Sequence, residues 1–271
     1  MSRTWFVTGS SRGFGRSFVE AALDRGDKVA ATARNTEALM DLAIAHGEQL
    51  LALPLDVTDK TAAFDAVHKA HAHFGRLDVV VNNAGYGHFG MVEELTEAEA
   101  GDQMETNFFG VLWVTQAALP LLRTQGGGHI VQVSSVGGVL SFPSLGVYAA
   151  SKWAVEGLSE ALAAEVAGQN IKVTLVEPGP YATDWPGASA VNSEPDPLYD
   201  GVRQALAEGL DLSDLGDPKA VGPALLTMVD AENPPLRVFF GRPSLQPAKD
   251  HYARKPATWA EWEHVPLAAH G

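Results

Sequence analysis

The chain has 271 residues, 46% of them hydrophobic, which suits one large α/β domain with a well-buried core. Its 33 Asp and Glu against 19 Lys and Arg give a formal charge of -14, a field that repels phosphate backbones and argues against nucleic acid as a partner. There is no cysteine, so disulfides and thiolate metal sites are excluded and nothing points to an oxidising compartment. The apolar run at residues 5–7 is too short for a signal-peptide core. No stretch approaches the roughly 20 apolar residues of a membrane helix, so a cytoplasmic protein without a membrane partner is expected.

In chain order, short apolar runs at 5–8, 28–33, 50–55, 78–82, 129–134, 172–176 and 237–240 predict strands. Most are continuous rather than alternating, as strands buried on both faces are. Helical patterns at 14–25, 36–46, 58–74, 97–123 and 148–167 separate them, the second opening on Thr36 as N-cap candidate. This alternation predicts an α/β fold of one domain: a doubly wound parallel sheet of Rossmann type with right-handed crossovers. After Gly179 the rhythm breaks, with helices expected near 198–210 and 217–231. Residues 1–240 are expected to form the nucleotide-binding and catalytic domain, with 184–215 as its substrate loop. Residues 241–271 form an extension interrupted by Pro243, Pro247, Pro256 and Pro266. Its Trp259 and Trp262 point to packing on the body or on a partner.

The first strand runs into Thr8-Gly9-Ser10-Ser11-Arg12-Gly13-Phe14-Gly15. Glycines at 9, 13 and 15 allow a sharp turn and close approach to a pyrophosphate, with Ser11, Arg12 and Phe14 at the start of the following helix. An ordinary strand–helix turn has the same composition. The second strand ends Ala33-Arg34 where a carboxylate for a ribose 2′-hydroxyl would stand. Arg34 and Arg12 together suit a 2′-phosphate and hence NADP(H), although two solvated arginines would read alike. Asp56-Val57, after the third strand, suits an adenine amino group or a helix N-cap.

Tyr148-Ala149-Ala150-Ser151-Lys152 puts a phenol and an ammonium on one helix face. A nearby cation lowers a phenol pKa from ~10 toward acid–base use. Ser135, at the end of the preceding strand, can hold a substrate oxygen. Asn107 in an apolar helix needs a buried hydrogen bond to justify it. His68, His71 and His73 fit a solvated helix face, so no metal is expected. Glu177 is a buried-acid candidate without an assigned role.

Together, Thr8-Gly9-x-x-x-Gly13-x-Gly15, Asn82-Asn83-Ala84-Gly85, Asn107, Ser135, Tyr148-x-x-x-Lys152 and Pro178-Gly179 resemble the short-chain dehydrogenase/reductase family over about the first 185 residues. The resemblance implies that Tyr148 exchanges a proton with the carbonyl or alcohol oxygen. Lys152 would lower its pKa and bind the nicotinamide ribose, and Ser135, rather than Ser134, would polarise the substrate. Asn107 would hold a water that links Lys152 to solvent. Asn83, Ala84 and Gly85 would lie along the cofactor, and Pro178, Gly179 and Thr183 on its nicotinamide side.

The resemblance thus implies an NADP(H)-dependent oxidoreductase. The alternatives are an NAD-dependent alcohol dehydrogenase and a non-catalytic cofactor sensor. Trp185, Val191, Leu198, Tyr199 and Leu206 of the loop are expected to face an apolar carbonyl or alcohol substrate, together with Tyr86, His88, Phe89 and Phe142. Family members commonly form homodimers or homotetramers. Leu112, Val114, Leu119, Leu158 and Leu162 offer an apolar seam for that, or ordinary core.

Overall fold

The computed structural model describes residues 2–185, 187, 189–209 and 213–270. The elements in order are β1 (Thr4–Val7), α1 (Gly13–Asp24), β2 (Lys28–Ala33), α2 (Met40–His46), β3 (Leu50–Pro54), α3 (Lys60–Phe74), β4 (Val79–Asn82) and β5 (His88–Phe89). They continue as α4 (Glu97–Met104), α5 (Gly110–Thr124), β6 (Gly128–Val133), α6 (Gly146–Val166), β7 (Ile171–Pro178) and β8 (Val191–Asn192). The last are α7 (Asp200–Gly209), α8 (Val221–Asp230), β9 (Arg237–Phe240), α9 (Leu245–Glu261) and α10 (His264–His270). Seven strands form one sheet in the order β3-β2-β1-β4-β6-β7-β9, every pair parallel. The seven runs expected as strands are these seven. The reversal of direction beside β1 opens a crevice at the carboxyl ends of β1 and β4.

Strand side chains alternate between two cores. Trp5 and Val7 join Phe18, Val19 and Leu225 on the face covered by α1 and α8. Phe6 joins Val67, Val114, Leu122 and Leu162 on the face covered by α3, α5 and α6. Val114 and Leu162 are therefore core, and of the proposed seam only Leu112, Leu119 and Leu158 keep partial exposure. Truncating a fully buried ring such as Phe18 to alanine costs roughly 3–5 kcal/mol. The indole of Trp5 donates to Asp27 at 2.8 Å, which satisfies a buried polar atom on a central strand.

Three local expectations are revised. Asn35, not Thr36, caps the turn before α2, accepting from the Glu37 N–H at 2.9 Å. Asp59, not Asp56, caps α3, accepting from the Ala62 N–H. The single helix expected over 97–123 is broken by a π-helical turn, Glu105–Phe109, centred on Asn107.

A short parallel pair, β5 with β8, ties the segment after β4 to the segment after β7. The tail is helical through Pro247 and Pro256 rather than interrupted there. Its Ala248 packs against Val139 and Leu140, and Lys255 lies over the ring of Trp153 on α6. Trp259 and Trp262 are 68% and 57% exposed. No helix is long and apolar enough to cross a membrane among the described residues.

Candidate active site

The turn after β1 is shaped by close backbone approach. Gly9 and Gly13 have φ of +67° and +57°, a region glycine enters without strain. A Cβ on Gly9 would lie 2.8 Å from the Ala84 Cα, and one on Gly15 would collide with the Gly9 carbonyl. Thr8 Oγ1 accepts from the N–H groups of Asn83 (2.9 Å) and Ala84 (3.0 Å). Asn83 Nδ2 donates back to the Thr8 and Gly9 carbonyls at 3.0 and 3.1 Å. Asn83 and Ala84 thus brace the turn, and Thr8 is the partner that residue type alone did not disclose. Arg12 at the N-cap of α1 makes no side-chain capping bond, and the first turn carries no acid. The leading N–H groups of α1 are left available for an anion.

The side chains of the two arginines expected at a 2′-phosphate, Arg12 and Arg34, are exposed and make no hydrogen bond or ion pair among the described residues. Arg16, one turn into α1, is by contrast committed to Glu20, Asp41 and the Ala38 carbonyl. Asp56 is exposed; its Oδ1 accepts from the Thr58 N–H and hydroxyl at 3.1 and 2.8 Å. Val57 is buried against Gly110, where a Cβ would come within 2.7 Å of its side chain. Phe14 is sandwiched by Phe18 and Tyr181, the latter edge-on at 4.8 Å, so its ring serves packing.

Asn107 is fully buried in the π turn. Its Oδ1 accepts from the Tyr86 N–H at 3.1 Å, and its Nδ2 donates to the Tyr86 carbonyl (3.0 Å) and Ser151 Oγ (3.2 Å). A helix that widens to aim a side chain in this way is a common device at functional sites. Gly85 fits beside it: a Cβ there would lie 3.0 Å from Asn107 Oδ1 and 3.6 Å from Lys152 Nζ.

Ser135, two residues beyond β6, accepts from the Gly137 N–H at 2.9 Å. The ring of Tyr148 passes over Gly137, where a Cβ would lie 2.9 Å from its Cε1. Lys152, one turn further along α6, donates to the Val133 carbonyl at 2.9 Å and lies 5.9 Å from the Tyr148 ring centroid. The fold therefore brings Asn107, Ser135, Tyr148, Lys152 and Gly85 to one place.

Electrostatically, the pair departs from expectation. Burial pushes the Tyr148 phenol up to about 12, with the facing Ser135 hydroxyl working the other way. Burial also draws Lys152 down to about 8, opposed by Glu156. In the protein alone desolvation dominates the phenol, and the lysine is not among the groups that offset it. Glu177 is buried as expected, and burial with the nearby Glu156 raises it to about 7.

On the substrate side, Trp185 meets Tyr148 edge-on, with ring centroids 5.0 Å apart, and Phe89 at 5.5 Å. Its indole seats on Gly87, where a Cβ would lie 2.5 Å from Cζ2. Thr183 Oγ1 accepts from the Trp185 N–H at 3.4 Å, and Gly179 packs on Ser244 at the root of the tail, following the buried Pro178. His88 faces inward instead, its Nε2 2.8 Å from Ser193 Oγ. Leu198 is exposed, and the Tyr199 hydroxyl donates to Glu93. Positions 186, 188 and 210–212 of the expected substrate loop lie outside the described residues.

Residues 3–192 match the family model described as short chain dehydrogenase. The chain is 41% identical to an oxidoreductase, BOA17, of Botryotinia fuckeliana, over 99% of this chain and 100% of that one. It is 36% identical to a 3-ketodihydrosphingosine reductase of Bacteroides thetaiotaomicron, over 87% of this chain and 86% of the relative. A crystal structure of a short-chain dehydrogenase from Streptomyces avermitilis superposes with a TM-score of 0.91 at 41% identity, covering 99% and 98% of the two chains.

Proposed function

The chain belongs to the short chain dehydrogenase family, and from that premise we propose that it is an NADP(H)-dependent reductase of apolar ketones or aldehydes with Tyr148 as proton donor. As an oxidoreductase of this family it acts on alcohol and carbonyl groups with a nicotinamide cofactor. The observation that carries the finer reading is the buried phenol of Tyr148, one helical turn from Lys152 and beside Ser135.

The residues present fit the dinucleotide. Gly13 faces open space in the turn, α1 offers uncapped N–H groups, and the Arg12 and Arg34 side chains are unpaired among the described residues. Ser11, Arg12, Gly13 and Phe14 would hold the pyrophosphate, Arg34 and Arg12 the 2′-phosphate, and Asp56 and Val57 the adenine. Asn83, Ala84 and Gly85 would line the middle, with Lys152 on the ribose and Pro178, Gly179 and Thr183 toward the nicotinamide. When bound, the nicotinamide supplies the hydride.

Everything else falls to the chain. The Ser135 hydroxyl donates to the substrate oxygen and orients it. Tyr148 gives its phenolic proton to that oxygen as the alcohol forms. A group at about 12 stays protonated at neutral pH, so it is loaded as an acid. The Lys152 ammonium then stabilises the phenolate left behind, and Asn107 fixes the local backbone through Tyr86.

Trp185 and Phe89 beside Tyr148 support an apolar or aromatic flank on the substrate, and the relative named for a keto substrate agrees with a ketone. The partly exposed Leu112, Leu119 and Leu158 support a homodimer or homotetramer, and a cytoplasmic location belongs to the same reading. The test is a panel of ketones and aldehydes with NADPH and NADH, followed by nicotinamide absorbance. Faster turnover of apolar ketones with NADPH is expected; activity confined to NADH, or none on any carbonyl, overturns the reading.

A further inference from the structure

A third buried ionisable group stands on α6, one turn beyond Lys152. Glu156 is 5% exposed, on the same helix face at i+4. We propose that Glu156 is a positioning residue that holds Lys152 in its ammonium form, and that Arg237 in turn keeps Glu156 charged. The inference rests on the reading of Tyr148 and Lys152 as the proton-transfer pair.

Lys152 needs such a partner. Its one hydrogen bond among the described residues goes to the Val133 carbonyl, a neutral acceptor. Burial alone draws the ammonium toward neutrality, and Glu156 is the charge that opposes this. The other group on its own face, Tyr148, is a neutral phenol with its ring 5.9 Å away. An uncharged Lys152 would leave the phenolate formed during reduction without a counter-charge.

Glu156 needs support as well, because burial pushes its carboxyl up. The support comes from β9. Arg237 Nε donates to Glu156 Oε2 at 2.9 Å and lies 3.7 Å from Glu177 Oε1, while its other arm reaches the exposed Glu160 at 2.6 Å. Three carboxylates thus share one guanidinium, and two of them are buried. Glu177, 1% exposed and the farther of these two, is the one that takes a proton near neutrality. Glu156 is the closer to the guanidinium, which opposes the effect of burial on its carboxyl. Ser134 also faces Glu156. Glu160, Glu177 and Arg237 border a cavity of about 350 Å³ with Lys249 and Tyr252, the further titratable groups beside the cluster.

A purely structural bridge between α6 and β9 would make the same contacts, so the test reads the charge on Lys152 directly. In the protein without added nucleotide, trace acetylation of Lys152 is measured against pH by mass spectrometry. The midpoint of the wild-type chain is expected near 8. In Glu156→Gln it falls by about 1 unit, as expected on removing a nearby opposite charge. Arg237→Gln should lower it likewise, because Glu156 then takes a proton. Glu160→Gln, on the same guanidinium but exposed, should leave it unmoved. Unchanged midpoints in Glu156→Gln and Arg237→Gln, whatever their melting temperatures, overturn the proposal. Since no turnover is needed, a shifted midpoint in a chain inactive on every carbonyl would sink the proposed reaction and leave this inference standing.

Discussion

The indole of Trp185 leans edge-on against the ring of Tyr148, centroids 5.0 Å apart and planes at 61°. This contact covers one side of the phenol and contributes to the burial that raises Tyr148 to about 12.

Replacing Trp185 with alanine should therefore do two things. It should lower KM for bulky apolar ketones more than for small ones, by roughly 10-fold or more in the ratio, given ~1–3 kcal/mol for a filled or emptied apolar space. It should also lower the Tyr148 pKa by admitting water. A substrate series with a pH titration of phenolate absorbance checks both. An unchanged size preference would remove Trp185 from the substrate wall.

Arg34→Asp should shift cofactor preference from NADPH toward NADH. A charge-assisted contact is worth ~1.5–3 kcal/mol, so the preference ratio should drop by about 10- to 100-fold. Arg16→Ala should leave the ratio unchanged, since Arg16 is already paired with Glu20 and Asp41. Steady-state kinetics with both nucleotides measures this.

Asn107→Ala removes three hydrogen bonds and leaves the Tyr86 N–H unpaired among the described residues, while the Tyr86 carbonyl keeps its bond from Gln103 Nε2. An orphaned group costs about 1–3 kcal/mol, so the urea midpoint should fall clearly at constant m-value. Stability within about 0.5 kcal/mol of wild type would mean that the π turn holds itself.

His129 is buried, its Nε2 3.0 Å from Thr174 Oγ1, and burial lowers it to about 4 with Lys172 and Arg3 adding repulsion. A histidine lowered on folding gives stability that is full above its unfolded value of 6.5 and lost as pH falls through 4. The loss should be on the order of 3 kcal/mol. Denaturant unfolding at pH 7.5 and pH 4 should show a smaller gap in His129→Gln than in wild type.

The sheet was legible because its strands are buried on both faces and so appear as unbroken apolar runs. Tyr148 and Lys152 were legible because a helix alone brings i and i+4 together. What stayed hidden depends on partners distant in sequence. The break at Asn107 is imposed by Tyr86, 21 residues away. The β5–β8 pair is two residues long, too short for a periodic signal. Glu156 meets Arg237 across 81 residues, so Glu177 could be named as a buried acid without its company. The direction of the Tyr148 shift was missed because spacing reveals the cation but not the desolvation that dominates the phenol.

The role of Tyr148 is tested most directly by Tyr148→Phe, assayed for carbonyl reduction alongside NADPH affinity. The ring and its packing on Gly137 and Trp185 remain while the proton is lost. Turnover should fall by about 10²- to 10⁴-fold with nucleotide affinity close to wild type. Turnover within a few-fold of wild type would contradict the account.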